Sequence, residues 1–122
     1  MKILKRIFAD KEMREYNREM REYYKMRKRH RKTMIELAKN DLDWDYDFMH
    51  GFVVTKIKHM YEYYSAGNNI CQSEESLNEI LETLKHAIDL ADKIDDAGIF
   101  EEQELYKKFY SYIGEHIQWW WD

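Results

Sequence analysis

The run Ser73-Glu74-Glu75-Ser76-Leu77-Asn78-Glu79-Ile80-Leu81-Glu82-Thr83-Leu84-Lys85-His86-Ala87-Ile88-Asp89-Leu90-Ala91-Asp92-Lys93-Ile94-Asp95 reads as one helix from end to end. A serine followed by two glutamates is a start signal. The hydroxyl accepts from a free N–H of the first turn, and the carboxylates face the positive end of the macrodipole. Leu77, Leu81, Leu84, Ile88, Ala91 and Asp95 follow at spacings of four and three, flanked by Ile80, Ala87 and Ile94, so one side is apolar. The pattern stops at Ala97-Gly98.

Outward from this run the same period recurs. Downstream, a helix from about Phe100 puts Leu105, Phe109, Tyr112, Ile113, His116, Ile117 and Trp120 on its buried side. Upstream, a helix from Phe48 aligns Met49, Val53, Ile57, Met60 and Tyr64 and stops at Ala66-Gly67-Asn68-Asn69, where Gly67 is a natural C-terminal cap. Gly51 weakens that helix's first turn by about 1 kcal/mol relative to alanine. The carboxylates of Asp41, Asp43, Asp45 and Asp47 suit the helix's N-terminus. Short connections favour antiparallel neighbours, so residues 41–122 are expected to form a compact antiparallel three-helix unit.

Residues 1–40 read as a single long helix from near Lys2 to Lys39. Met13, Tyr16, Met20, Tyr23, Arg27, His30, Met34 and Leu37 recur in a seven-residue pattern that marks a packing seam with a polar middle. At 1.5 Å per residue such a helix is about 57 Å long. It is therefore expected to project or to pack on another subunit. The fold class is all-α, and an oligomer is the expected state. The absence of proline, where about six would be average for 122 residues, agrees with long uninterrupted helices.

The net charge of −4 conceals a division. Residues 1–40 carry 14 Lys/Arg against 6 Asp/Glu, a net +8, and residues 41–122 carry 6 against 18, a net −12. The basic arm either lies along an acidic body, in its own chain or a neighbour, or meets an anionic partner. Lys25-Met26-Arg27-Lys28-Arg29-His30-Arg31-Lys32 sets six permanent cations in eight residues, just after Tyr23-Tyr24. Arginine offers paired donors to phosphate and tyrosine stacks on bases. Tyr23, Tyr24, Arg27, Lys28, Arg29, Arg31 and Lys32 are accordingly the candidate site for an anionic ligand, the alternatives being a solvated face, an intersubunit pairing or an acidic protein surface. Extended nucleic acid is disfavoured by the charge of the remaining two-thirds.

Other chemistry is absent from the pattern. Frames starting at Asp41 or Asp43 place Tyr46 or Phe48 where a calcium loop needs glycine, and Phe52 or Val54 where it needs a bidentate acid. The five histidines form no zinc signature, although Glu82 and His86 share a helix face. The four glycines build no phosphate loop, and no serine, threonine or cysteine sits in a nucleophile motif. The expectation is a non-enzymatic protein with no catalytic residue, no metal and no cofactor. Cys71 is the only cysteine, which excludes an intrachain disulfide and fits a reducing compartment with an inert thiol. Lys2-Ile3-Leu4-Lys5-Arg6-Ile7-Phe8 is basic and amphipathic but lacks a signal-peptide apolar core, and no stretch approaches a membrane span; weak membrane-surface contact is the minor alternative.

Trp119-Trp120-Trp121 covers almost a full helical sweep, so at least one indole must face away from its own bundle. With Tyr61, Tyr63, Tyr64, Tyr106, Tyr110 and Tyr112 this is more aromatic surface than one small core absorbs. Trp119, Trp120, Trp121, Met13, Tyr16 and Met20 are the candidate interface residues.

Asp43-Trp44-Asp45-Tyr46-Asp47-Phe48, Lys56-Ile57-Lys58-His59-Met60-Tyr61-Glu62-Tyr63-Tyr64 and the terminal Trp120-Trp121-Asp122 together resemble a family of small tailed-bacteriophage proteins of unassigned activity. The likeness covers residues 43–122 and supplies no catalytic residues. It implies a phage-encoded protein acting in the cytoplasm of the infected bacterial host. Small phage proteins of this kind frequently antagonise host antiviral defence, which implies sequestration of an anionic nucleotide-type signalling ligand within a homo-oligomer. Two alternatives stand beside it: a protein-occluding inhibitor of a host defence or nucleic-acid-processing protein, acting through acidic surface mimicry, and a helical assembly factor.

Overall fold

A computed structural model describes residues 2–67 and 73–121. Among these residues the fold is all-α and bundle-like, without strands: α1 (Lys2–Lys39), α2 (Asp47–Ser65), α3 (Glu74–Asp95) and α4 (Ile99–His116), followed by a 3-10 turn, Ile117–Trp119. The chain divides into two compact units, Met1–Lys39 and Asn40–Asp122. Asn68, Asn69, Cys71 and Asp122, which figure in the stop signal, the thiol reading and the terminal motif, lie outside the described residues.

The first unit is α1 alone, unbroken over 38 residues. Its protected row is Met20, Tyr23, Met26, His30, Met34 and Leu37, with Met26 buried and the others half-buried. Arg27, placed in the seam by the seven-residue pattern, is exposed instead. On a straight helix of about 3.6 residues per turn, the position one turn before His30 falls nearer 26 than 27. The seam's middle is thus less polar than its sequence pattern implies. Met13 and Tyr16, at the head of the expected seam, are exposed.

In the second unit α3 packs against both α2 and α4. The start signal is realised: the Ser76 N–H donates to Ser73 Oγ at 3.2 Å, and α3 begins at Glu74. Its buried row is Ile80, Leu84, Ala87, Ala91 and Ile94, while Leu77, Leu81 and Ile88 are half-buried. The residues read as flanks form the centre, because α3 is covered on two sides. The core is completed by Ile57 and Tyr64 of α2, Phe109 and Ile113 of α4, and Trp120. Leu84, Ala87 and Phe109 are fully enclosed, the best-packed point of the molecule.

The connections obey local chemistry. The Asp47 N–H donates to Asp45 Oδ1 at 2.9 Å, an Asx turn that leads into α2, whose N-cap position is Tyr46 without a side-chain cap bond. Gly67, at φ +75°, terminates α2 in the left-handed region that residues with a Cβ avoid. Asp95, at the end of the expected α3 row, is exposed, and so are two apolar residues of the second unit expected on buried faces. Met49 lies in the first turn of α2, before the helix meets the core, and Ile117 opens the 3-10 turn, where the change of pitch swings it outward.

Candidate functional site

The start of α2 and the Ile99–Tyr110 stretch of α4 bound a groove of about 430 Å³ lined by Tyr46, Met49, His50, Ile99, Glu102, Gln103, Tyr106 and Tyr110. Glu102, Tyr106 and Tyr110 recur every four residues and form one ridge of α4 beside the core row of Leu105 and Phe109. The Tyr106 and Tyr110 rings are parallel, 6° apart in plane, with centroids 6.3 Å apart. Tyr46, at the N-cap of α2 within the Asp45–Asp47 turn, presents its ring edge-on to Tyr106 at 6.3 Å and 78°.

His50 closes the inner end. Its Nδ1 lies 2.7 Å from Tyr110 Oη, and its ring meets Tyr106 at 4.8 Å and the enclosed Phe109 at 5.4 Å. Burial disfavours the imidazolium and lowers the His50 pKa below its usual value of 6.5, against the opposing pull of Asp95, Asp47 and Glu102. Burial, aided by Tyr46, Glu102, Asp47 and Tyr110, pushes the Tyr106 phenol up to about 12. Burial also raises Tyr110. Among the described residues the groove thus holds aromatic rings and one lining carboxylate, with no lysine or arginine in its walls.

Bare apolar residues occur in the lining and near it in sequence. Phe100 is 99% exposed, Ile99 86% and Trp44 81%, and Phe52 is also exposed. Exposed aromatic and aliphatic residues adjoining a cleft mark an interaction surface.

The C-terminal tryptophans divide as a full sweep requires. Trp120 is 7% exposed and its indole N–H donates to Thr83 Oγ1 at 2.8 Å; it is a core residue of its own unit. Trp119 and Trp121 are exposed and line a second groove, of about 580 Å³, with Glu79, Glu82, Thr83 and His116. His116 Nδ1–H donates to the Tyr112 carbonyl at 2.8 Å, and its ring stacks on Tyr112 with centroids 4.0 Å apart. Glu82 and His86 part company: Glu82 faces this second groove, whereas His86 packs on Tyr112, centroids 4.5 Å apart, in a third. Among the described residues no three His, Cys, Asp or Glu side chains converge on a metal position, and no helix is long and apolar enough to cross a membrane.

The arm residues singled out by charge are arrayed around a rod. At 100° per residue, Arg27, Lys28, Arg29, Arg31 and Lys32 point in widely different directions, and all are exposed. Tyr23 is half-buried and Tyr24 exposed; their rings are tilted at 5.7 Å, and the Arg27 guanidinium sits 6.0 Å from the Tyr23 centroid. Helix periodicity thus spreads the cations instead of converging them.

The sequence signal for the α2/α4 groove was the four-residue spacing of Glu102, Tyr106 and Tyr110 next to a core row. His50 carried no signal of its own, because its burial depends on a helix distant in sequence. No family model, curated protein or solved structure matches the chain.

Proposed function

We propose that this chain is a non-enzymatic, phage-encoded binding protein that antagonises a host defence by covering a cationic surface of a target protein with its acidic three-helix unit. The observation that carries this reading is the exposure of Ile99 and Met49 in the lining of a groove walled by tyrosines and Glu102, with Phe100 and Trp44, close to the lining residues in sequence, also bare. Residues 41–122 carry a net −12, which steers such a unit toward basic protein surfaces and away from nucleic acid. The resemblance to small phage proteins implies the host-directed part of the reading, with action expected in the infected cell's cytoplasm.

The test is retention of a host protein by the immobilised chain, compared with a Trp44→Ser, Ile99→Ser, Phe100→Ser variant of unchanged helicity. The expected result is a stoichiometric partner whose activity is blocked by the parent and spared by the variant. Equal retention by the variant would refute the assignment of this face.

A second reading, capture of an anionic nucleotide-type ligand by the arm of a homo-oligomer, draws support from the exposed cations and from Arg27 over the Tyr23 ring. Native mass spectrometry followed by denaturing extraction tests it. A released phosphorylated compound, lost on charge reversal of Arg27, Arg29 and Arg31, favours capture; a ligand-free protein with a protein partner favours occlusion.

A further inference from the structure

The α2/α4 groove combines features that select one kind of chemical group. Two parallel tyrosine rings and a third set edge-on offer π-faces, whose negative potential attracts cations. Glu102 stands one turn from Tyr106 on the same ridge and supplies a carboxylate at the mouth. Among the described residues no lysine or arginine lines the walls. His50 is kept neutral near pH 7 by burial, so it does not repel a cation either, and Asp47 and Asp95 add to the negative field acting on it. Burial raises the Tyr106 phenol to about 12, and Glu102 and Asp47 add to that rise, so the charges around the ring oppose an anion.

Among biological cations, guanidinium matches this set better than a primary ammonium. It is planar, weakly hydrated and stacks on aromatic faces, while its paired N–H groups meet a carboxylate in bidentate fashion. The surroundings of the groove identify the source. Ile99 and Phe100 are almost wholly exposed, and Trp44 and Met49 also lie bare. A small free cation filling the groove leaves that rim uncovered, whereas a protein segment carrying an arginine buries both.

We propose that the groove between α2 and α4 is a receptor for an arginine side chain on a target protein, with the guanidinium lying against Tyr106 and Tyr110 and paired with Glu102. The inference rests on the occlusion reading given above and gives it a chemical specificity. Tyr46 completes the wall, and the exposed rim covers the residues flanking the arginine. The partner is then a protein with an exposed arginine among apolar neighbours, not a nucleic acid and not a lipid surface.

The experiment is a titration of the full chain with Nα-acetyl-arginine amide, followed through the aromatic NMR signals of Tyr46, Tyr106 and Tyr110. The uncharged isostere Nα-acetyl-citrulline amide is the control, and a short peptide placing one arginine between leucines is the extended probe. The arginine probe is expected to shift the groove tyrosines saturably and to bind about tenfold more tightly than citrulline, the scale of one cation–π contact joined to one charged hydrogen bond. Glu102→Gln should weaken it about fivefold and Tyr106→Leu at least as much, whereas Tyr106→Phe should stay within about twofold, because the ring face and not the hydroxyl is used. The peptide should bind more tightly than the single residue by covering the rim.

Equal binding of citrulline, or insensitivity to both Glu102→Gln and Tyr106→Leu, overturns the groove assignment. If the peptide binds through the rim under those conditions, the occlusion reading survives and this inference alone fails. If the single residue binds as tightly as the peptide, the groove serves a free organic cation, and the protein source is overturned. Dissociation of an oligomer by the arginine probe would identify the occupant as the basic arm of a second copy and overturn a foreign partner.

Discussion

Thr83→Val removes one oxygen from the second unit and should loosen its C-terminus. The Thr83 hydroxyl donates to the Glu79 or Ile80 carbonyl, each at 3.0 Å, leaving its oxygen to accept the Trp120 indole N–H at 2.8 Å. Valine has nearly the same shape and a similar helix propensity, so neither a cavity nor a helix penalty enters. The carbonyls keep their helical bonds. What remains is a buried indole N–H without an acceptor, which costs about 1–3 kcal/mol. Trp120 keeps 7% of its surface exposed, so its surroundings are not wholly closed to water and the lower half of that range applies. For a domain of this size each kcal/mol moves Tm by about 4–8 °C, so a loss of about 1–2 kcal/mol lowers Tm by roughly 5–15 °C. Denaturant unfolding followed by tryptophan emission reads it, because Trp44, Trp119 and Trp121 are exposed and Trp120 alone reports the buried environment. Thr83→Ser should stay close to the parent. A Thr83→Val midpoint equal to the parent's, with unchanged emission, would refute the claim that this bond anchors the C-terminal turn.

Gly67→Ala should cost about 1–2 kcal/mol, since alanine is strained at φ +75° whatever space surrounds it. Gly114→Ala, in open space inside α4, should instead add about 0.5–1 kcal/mol, and paired thermal melts distinguish the signs. Leu84→Ala removes a fully buried side chain at the α3 centre, and a loss of about 2.7–5 kcal/mol is expected from chemical denaturation. His50 has a folded pKa depressed below 6.5 by burial, so the unfolded chain takes up the proton first. Stability is therefore full above pH 6.5 and falls from there down to the folded pKa, below which this contribution levels off. His50→Gln should remove that slope in denaturation curves compared across this window; an unchanged slope would assign it to other groups.

The helices were legible because their signals are local. Ser73 with its two glutamates, Gly67, and the three-four spacing through Leu84 and Ile88 each depend on residues within a turn or two. The exact buried row was less legible. Ile80, Ala87 and Ile94 looked like flanks until α2 and α4 covered α3 from two sides, and Met26 displaced Arg27 because a straight helix does not keep a seven-residue period. The tryptophan triplet allowed a firm inference from geometry alone, that one indole at least faces outward, and two do. The α2/α4 groove was hardest to anticipate. It joins His50 to Tyr110 across 60 residues, and no pattern within either segment announces the other. Charge clustering drew attention to the arm, yet six cations in eight residues on a helix diverge, while three residues spaced by four converge.

Under the proposed occlusion reading, the acidity of the second unit serves recognition at the expense of folding. The charged pairs described there, Lys85 with Asp89 at 3.3 Å and Lys107 with Glu104 at 3.4 Å, are single exposed pairs within one helix, a class that contributes little. Its core of Leu84, Ala87, Phe109 and Trp120 uses no charge at all. An excess of 12 negative charges on residues 41–122 therefore acts on the folded unit mainly as self-repulsion, which compaction intensifies. Added salt screens that repulsion over a Debye length of about 10 Å at 0.1 M, so the second unit's unfolding midpoint should rise between low and moderate ionic strength. Capture of an arginine-bearing partner should weaken over the same range, because the attraction that guides it is screened alike. Opposite salt slopes for stability and binding, measured on one protein preparation, follow only if the carboxylates act on the partner more than on the fold. Parallel slopes would mean that the acids stabilise the unit internally, and the electrostatic argument for a cationic target would lose its basis.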